Sequence, residues 1–238
     1  MRAILPLKDL VAAKTRLGGI LTAAERRSLM QAMVEDVLGV LAGHEQIESI
    51  TLVSDDPGAA HLCVAYGANY LDERALGCTG LNPVLEATVD TLISCGDAPL
   101  MILHGDLPLL EQSDISAVIA AQAAGGGVVI GTDRAGTGTN LLAFGGTSRP
   151  RLNFGSDSCR RHQQAVTPGT PVQVLHRVGI GLDVDEPQDI LLLLEGLGDL
   201  RSTSKTAALL TDTPLGRRLT LALKPDSDID RENRKTSH

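Results

Sequence analysis

LMILHGDLP, residues 100–108, indicates the fold class, because four consecutive apolar residues are followed by a histidine and then by a glycine and an aspartate. A short apolar run bounded by turn-forming residues is typical of a buried strand. Five further runs share this character, namely Ala3–Leu7, Ile50–Val53, Val128–Ile130, Leu141–Phe144 and Val172–Leu175. We predict that all six runs are strands.

Segments of helical length separate several of these strands. Thr22-Ala-Ala-Glu25 matches an N-terminal capping box, and the apolar residues after it recur on one helical face. Further helices are expected at 58–67, 83–95, 113–124, 159–165 and 187–197. The alternation predicts an α/β fold, a three-layer α/β/α arrangement in which helices cover both faces of a mostly parallel sheet. Ligands bind beyond the carboxyl ends of such strands, so motifs that follow strands carry the most weight.

The composition excludes several classes of protein. The chain has 238 residues, of which 43% are hydrophobic, enough for a sizeable core. A net charge of −8 and an aromatic content of 2% disfavour binding to nucleic acid, which needs cations and stacking platforms. The four cysteines form no C-x-x-C pair, and neither a secretory segment nor a membrane-length apolar run is seen. We therefore expect a soluble, cytoplasmic protein with no membrane partner.

The chain divides into two parts of different character. Residues 1–200 carry the strand and helix pattern and are predicted to form the main domain. Residues 201–238 are predicted to be a polar C-terminal extension. Its last segment, Lys224–His238, is charge-balanced and lacks apolar periodicity, so it is expected to be mobile.

A basic loop follows the first strand. Lys8, Lys14 and Arg16 lie close together there, and Gly18 and Gly19 come directly after them. Cations and backbone N–H groups at the end of a strand bind phosphate. The loop is therefore a candidate anion site, although a solvated surface loop would have the same composition.

Three aspartates are candidate metal ligands. Asp106 ends a buried strand, and Mg²⁺ prefers carboxylate oxygens while keeping places for substrate phosphates. Asp183 and Asp185 lie two residues apart, so in an extended segment they project from one side and could share the ion with Asp106. The alternatives are a turn cap for Asp106, and a cap by Asp185 or Glu186 for the helix that begins with Pro187. Asp189 is expected to interact only with the helix dipole.

Glycine and hydroxyl residues mark a second candidate anion site. The segment Gly131–Asn140 is rich in both, and Phe154–Ser158 leads into a predicted helix. Backbone N–H groups in such segments can hold a phosphate or a carboxylate. Neither a complete dinucleotide fingerprint nor a P-loop motif occurs, which disfavours a Rossmann dehydrogenase and a P-loop enzyme.

The order of these motifs resembles one family, the CofC/FbiD guanylyltransferases, which make the GDP-linked intermediate of coenzyme F-420 biosynthesis. The resemblance covers residues 1–198. The matching pieces are, in chain order, Pro6-Leu-Lys8, Lys14-Thr-Arg16-Leu17, Val53-Ser-Asp55-Asp56, Gly80-Leu-Asn82, His104-Gly-Asp106-Leu-Pro108, Gly138-Thr139-Asn140, Phe154-Gly155-Ser-Asp-Ser158 and Gly181-Leu-Asp183-Val-Asp185.

This resemblance implies a nucleotidyltransferase fold of the GT-A type and transfer of GMP from GTP to a phosphorylated three-carbon acid. Phosphoenolpyruvate, 2-phospho-L-lactate and 3-phospho-D-glycerate are the candidate acceptors. The implied catalytic residues are Lys14, Arg16 and Asp106. The implied nucleotide-binding residues are Lys8, Lys14, Arg16, Gly80 and Asn82, with Asn82 reading the guanine edge unless it is only a helix N-cap. The implied acceptor-binding residues are Thr139, Gly155 and Ser158, and the implied Mg²⁺ ligands are Asp106, Asp183 and Asp185.

The expected partners are GTP and a small phosphorylated acid. An acceptor phosphate is already ionised, so its attack on GTP needs no general base, which agrees with a sequence that shows none. A homodimer, and hand-over of an unstable product to the next enzyme, are compatible with this interpretation. The alternatives are another GT-A nucleotidyltransferase, such as a molybdopterin guanylyltransferase, and a non-catalytic nucleotide-binding module.

Overall fold

The computed structural model describes residues 1–8, 14–125, 127–196 and 204–223. The predicted mobile segment Lys224–His238 lies outside these ranges. Within them, every helix is too short or too polar to cross a bilayer.

A single sheet organises the described residues. Its strands are β1 (Arg2–Leu7), β2 (Ser49–Ser54), β3 (Asn69–Asp72), β4 (Leu100–Leu103), β5 (Val128–Thr132), β6 (Thr139–Phe144) and β7 (Val172–Leu175). Their order across the sheet is β3-β2-β1-β4-β6-β5-β7. Neighbouring strands are parallel except β6, which runs antiparallel to β4 and β5. The predicted mostly parallel sheet is confirmed.

Helices cover both faces of this sheet. They are α1 (Ala23–Ala42), α2 (Ala59–Tyr66), α3 (Leu81–Ser94), α4 (Gln112–Gly125), α5 (Ser158–Gln164), α6 (Val178–Gly181), α7 (Pro187–Gly196), α8 (Lys205–Thr211) and α9 (Pro214–Leu223). Short 3₁₀ helices occur at Thr15–Gly19, Glu73–Leu76 and Gly146–Ser148. The predicted capping box is confirmed, because Thr22 Oγ1 accepts from the Glu25 N–H at 3.2 Å and Glu25 Oε2 accepts from the Thr22 N–H at 2.8 Å.

Strand β4 is apolar at every position because it is buried on both faces. Met101 and Leu103 point into one core, whereas Leu100 and Ile102 point into the other. Helices α1, α4 and α7 pack on the first face, and α3 and α5 pack on the second. A strand covered on both faces has no solvated side, so its sequence shows a continuous run instead of alternation.

Besides α6 and the short 3₁₀ helices, two parts of the fold were not predicted from the sequence. Strand β3 pairs with β2 at the edge of the sheet, and two of its four residues are exposed while the other two are partly buried. Helices α8 and α9 lie in the predicted polar extension, yet Leu210, Leu215 and Leu219 are buried in the core that α1 occupies. Asp36 of α1 accepts from the first backbone N–H groups of α8, which fixes that helix in place. The division at residue 200 stays a prediction.

Candidate active site

The carboxyl edge of the sheet brings most of the predicted site residues together. Asp106 follows β4, and Lys8 follows β1 as an exposed side chain. Thr139 begins β6, and because β6 is antiparallel its first residue lies at the same edge. The extended segment after α6 reaches this edge too, since the Val184 N–H donates to the Asp106 carbonyl at 3.3 Å. That contact places Asp183 and Asp185 beside the end of β4.

Lys14 lies between two of the three predicted metal ligands. Its ammonium donates to Asp106 Oδ2 and, at 2.6 Å, to Asp185 Oδ1. The Lys14 side chain is only 6% exposed. The backbone of Lys14 is left-handed, with φ of 58°, a conformation that costs a non-glycine residue roughly 1–2 kcal/mol.

The charges in this cluster depend on one another. Burial lowers the pKa of Lys14, but Asp106 and Asp185 outweigh burial and the net shift is upward. Burial raises the pKa of Asp106, but Lys14 reverses that effect and the net shift is downward. The pKa of Asp183 is raised by burial and further by Asp106 and Asp185, against the hydrogen bond from Asn140. Lys14 therefore stays protonated at neutral pH. Asp183 is the aspartate whose negative charge is disfavoured by the carboxylates of Asp106 and Asp185.

The donor set fits a magnesium ion that is bound jointly with phosphate. Asp106 Oδ1 is buried and has no hydrogen-bond partner among the described residues. Nowhere in the described ranges are three carboxylate, imidazole or thiolate side chains arranged to hold a metal ion by themselves. Mg²⁺ commonly takes one or two carboxylates and completes its shell with phosphate oxygens and water, so a complete protein cage is not required. The assignment of Mg²⁺ to Asp106, Asp183 and Asp185 stays a prediction.

Two side chains fix the segment that carries these aspartates. The Asn140 amide donates to Asp183 Oδ1 at 3.1 Å and to the Ile180 carbonyl at 2.9 Å. Asp189 Oδ2 accepts from the backbone N–H groups of Asp185 and Glu186, at 3.0 and 2.8 Å. The expectation that Asp189 acts only on the helix dipole is wrong, because its carboxylate holds the residue that contacts Lys14.

Arg16 lies at the exposed rim of the site. Its side chain is 70% exposed and pairs with Glu186 at 3.0 Å. Exposed ion pairs contribute only about 0–1 kcal/mol, so a phosphate can replace Glu186 as the partner at little cost.

The predicted acceptor residues surround the beginning of α5. Ser158 is the first residue of that helix and is buried, and its N–H donates to the Gly155 carbonyl at 3.1 Å. Gly155 has φ of +116°, which favours glycine at that turn. The hydroxyl of Thr139 is hydrogen-bonded to the ring of His162, one turn further along α5. The structure thus links Thr139 to α5.

Gly80 and Asn82 lie at the start of α3. Gly80 is the N-cap, with φ of +92°, and no side chain caps this helix. The N-cap interpretation of Asn82 is therefore wrong, because Asn82 is the second residue of the helix. Its amide donates to the Phe154 carbonyl at 3.1 Å, and its carbonyl accepts from the Phe154 N–H at 2.7 Å. Asn82 therefore joins the predicted nucleotide loop to the predicted acceptor loop, and its reading of guanine stays a prediction.

Sequence reasoning missed three residues that position others, namely Asn140, His162 and Asp189. Each had a local signal. Asn140 directly follows Thr139, and His162 lies four residues after Ser158, on the same face of α5. Asp189 is the third residue of α7, where an acidic side chain reaches back to the N-cap backbone.

The mostly parallel α/β sheet, with cations and carboxylates at its carboxyl edge, has the fold of the GT-A type. Solved structures share this fold. A protein of Desulfovibrio desulfuricans G20 assigned to the nucleotide-diphospho-sugar transferases matches with a TM-score of 0.73 at 17% identity, covering 94% of this chain and 98% of that one. A 4-diphosphocytidyl-2C-methyl-D-erythritol synthase of Anaerococcus prevotii matches with a TM-score of 0.55 at 13% identity, covering 80% and 92%.

Sequence comparison gives the family. The family described as "Guanylyl transferase CofC like" matches residues 1–204. Phosphoenolpyruvate guanylyltransferase of Conexibacter woesei is 35% identical over 84% of this chain and 89% of its own length. The protein of the same name from Sphaerobacter thermophilus is 33% identical over 79% and 89%. The chain belongs to the CofC-like guanylyl transferase family, which confirms the resemblance and makes it a nucleotidyltransferase.

Proposed function

We propose that this protein transfers GMP from GTP to phosphoenolpyruvate, releasing pyrophosphate, as a step of coenzyme F-420 biosynthesis. The observation that carries the proposal is the placement of the Lys14 ammonium between Asp106 and Asp185 at the carboxyl edge of the sheet. Phosphoenolpyruvate is preferred over the other two acids because the relatives from C. woesei and S. thermophilus carry it in their names.

The reaction joins two phosphates. A phosphate oxygen of phosphoenolpyruvate attacks the α-phosphorus of GTP, and a new P–O bond forms. The bond between that phosphorus and the oxygen bridging to the β-phosphate breaks, and pyrophosphate leaves with the electron pair. Since the nucleophile is already an anion, no group has to remove a proton from it. Catalysis is then a matter of alignment and charge neutralisation.

The residues of the site suit those two tasks. Lys14 is kept protonated by its two carboxylates, so it carries the positive charge that stabilising the leaving pyrophosphate requires. Arg16, at the exposed rim, can leave Glu186 for the same phosphates, and Lys8 adds charge at the end of β1. Thr139, Gly155 and Ser158 hold the phosphate or the carboxylate of the acceptor.

Asp106, Asp183 and Asp185 are the proposed Mg²⁺ ligands. A bound Mg²⁺ supplies neutralisation of charge on the α-phosphate. Asp106 Oδ1 is a buried oxygen that such an ion would satisfy. GTP binding, a cytoplasmic location, a homodimer and transfer of the product to the next enzyme belong to the same proposal.

A pyrophosphate-release assay tests the proposed function. The protein is incubated with GTP and Mg²⁺, and with each of the three candidate acids in turn. We expect release to be fastest with phosphoenolpyruvate, and to fall strongly when ATP or CTP replaces GTP. If none of the three acids supports pyrophosphate release, the proposal is wrong. Faster release with 2-phospho-L-lactate or 3-phospho-D-glycerate would overturn the choice of acceptor.

A further inference from the structure

His162 is buried between a predicted substrate-binding side chain and a loop. Its side chain lies on α5, and the residue has no exposed surface. Nδ1 lies 3.0 Å from Thr139 Oγ1. On the other side of the ring, Nε2 lies 2.9 Å from the backbone nitrogen of Asn153. Both ring nitrogens are therefore used.

These two contacts determine the tautomer of the ring. A backbone N–H can only donate, so Nε2 must accept from Asn153 and carries no proton. A neutral imidazole then carries its proton on Nδ1, and Nδ1 donates to Thr139 Oγ1. Burial lowers the pKa of His162 to about 4, with Arg161 and His104 adding to that effect. The ring is therefore neutral at neutral pH, as this hydrogen-bond arrangement requires.

The direction of that hydrogen bond determines what Thr139 can do. Its oxygen already accepts from His162, so its own hydroxyl hydrogen points to another acceptor. Among the described residues, the Thr139 hydroxyl is hydrogen-bonded to His162. A phosphate or carboxylate oxygen has no proton to offer and needs a donor, which is the role left to this hydroxyl.

The ring is also prevented from turning. Phe154 packs against it edge to face, with centroids 4.8 Å apart and planes at 72°. Phe154 is itself fixed by the two hydrogen bonds to Asn82, and it contacts His104 on its other side, with centroids 5.3 Å apart. A 180° flip of the imidazole would place carbon atoms opposite both polar partners.

We infer that His162 is a positioning residue that orients the Thr139 hydroxyl as a hydrogen-bond donor to the anionic acceptor. The inference rests on the proposed function, because it takes Thr139 to contact the acceptor. It goes beyond that function in naming a buried histidine as the group that makes this contact specific for an anion.

Substitutions can separate the two hydrogen bonds of the ring. His162→Gln keeps an acceptor near the Nε2 position for Asn153 but lacks the donor to Thr139. His162→Asn keeps a donor near the Nδ1 position but lacks the acceptor for Asn153. Thr139→Val removes the hydroxyl at nearly constant volume, and Thr139→Ser retains it. His61→Gln, on the exposed face of α2, is the matched control.

The steady-state measurements are KM for phosphoenolpyruvate, KM for GTP and kcat. We expect His162→Gln and Thr139→Val each to raise KM for phosphoenolpyruvate by about tenfold, the effect of losing one hydrogen bond to a charged group, with KM for GTP within about twofold. The double variant His162→Gln with Thr139→Val should have the same KM for phosphoenolpyruvate as Thr139→Val alone, because His162 acts through the Thr139 hydroxyl. His162→Asn and Thr139→Ser should stay closer to the unsubstituted protein.

A spectroscopic measurement does not depend on turnover. In the ¹⁵N spectrum of the full chain, we expect the His162 imidazole to be the Nδ1–H tautomer at pH 7. An Nε2–H tautomer, additive effects in the double variant, or equal increases in both KM values would overturn the role of His162. Absence of pyrophosphate release by the unsubstituted protein would instead overturn the proposed function. If His162→Gln does not fold, the His162 tautomer and the comparison of Thr139→Val with Thr139→Ser still test the role of His162.

Discussion

The Lys14 ammonium lies 2.6 Å from Asp185 Oδ1, although 171 residues separate the two in the chain. Lys14 lies between β1 and α1, whereas Asp185 lies between α6 and α7. Their contact therefore depends on the whole sheet being assembled, and no local sequence signal could have indicated it. It makes Lys14 the cation that offsets the repulsion among the aspartates in the absence of a ligand.

Replacing Lys14 by Met tests that role. Met keeps most of the volume but leaves Asp106 buried and uncompensated, which costs roughly 3 kcal/mol and corresponds to a Tm about 6–12 °C lower. Mg²⁺ should then stabilise Lys14→Met more than the unsubstituted protein, since an ion now fills the position of the ammonium. Thermal melts with and without MgCl₂ measure both effects, and Lys205→Met, at an exposed position, is the control. A Tm that falls but does not respond to Mg²⁺ would count against ion binding at these carboxylates.

Asp106→Asn should reduce kcat by about a hundredfold or more, the scale of one lost electrostatic contribution to a transition state. The fold should survive, because Asn has the same shape and Lys14 keeps Asp185 as its partner. Pyrophosphate release and circular dichroism are the measurements, and Asp97→Asn on the surface is the control. Near-full activity in Asp106→Asn, or activity that is unaffected by EDTA, would show that the metal assignment is wrong.

Asp189→Ala should lower kcat/KM by about 10–100-fold, the usual effect of losing a group that orients a ligand residue. The backbone N–H groups of Asp185 and Glu186 lose their acceptor, so the carboxylate that contacts Lys14 is no longer fixed. Asp189→Asn retains a carbonyl oxygen and should recover part of the activity. Glu195→Ala, exposed on the same helix, controls for a general effect on α7. Equal activities of Asp189→Ala and Glu195→Ala would contradict this role.

The sequence predicted those parts of the fold that depend on local chemistry. The capping box at Thr22 is a contact between residues three apart, and the buried strands are continuous apolar runs, so both are visible in a short window. β3 was missed because its residues, Asn-Tyr-Leu-Asp, are half exposed at the sheet edge and lack such a run. α8 and α9 were missed because three buried leucines among polar residues indicate a core only once α1 is in place.

The candidate site shows the same division between local and long-range effects. The carboxyl ends of β1 and β4 had to meet once a parallel sheet was predicted, so the clustering of Lys8 and Asp106 follows from topology. Thr139 joins them because β6 is antiparallel, an orientation that was not predicted. The partners of their side chains do not follow from topology. The binding of Asn82 to the Phe154 backbone and the insertion of Lys14 between two aspartates depend on loop conformations that strand and helix patterns do not encode.

The last prediction concerns stability and pH, and it follows from the buried imidazole of His162. Its pKa is lowered from 6.5 to about 4 by burial first, with Arg161 and His104 contributing. Between these two pH values the unfolded chain binds the proton and the folded chain does not, so stability is complete above pH 6.5 and is lost as the pH falls towards 4. By linkage, this one group should remove on the order of 2.5 kcal/mol of unfolding free energy between pH 7.5 and 4.5.

Urea denaturation at both pH values measures the loss, and the difference between the unsubstituted protein and His162→Gln isolates it from all other titrating groups. His61→Gln should retain the full loss. If His162→Gln and the unsubstituted protein lose the same unfolding free energy between these pH values, the prediction is wrong. The folded protein would then bind a proton on His162, although the Asn153 N–H faces Nε2.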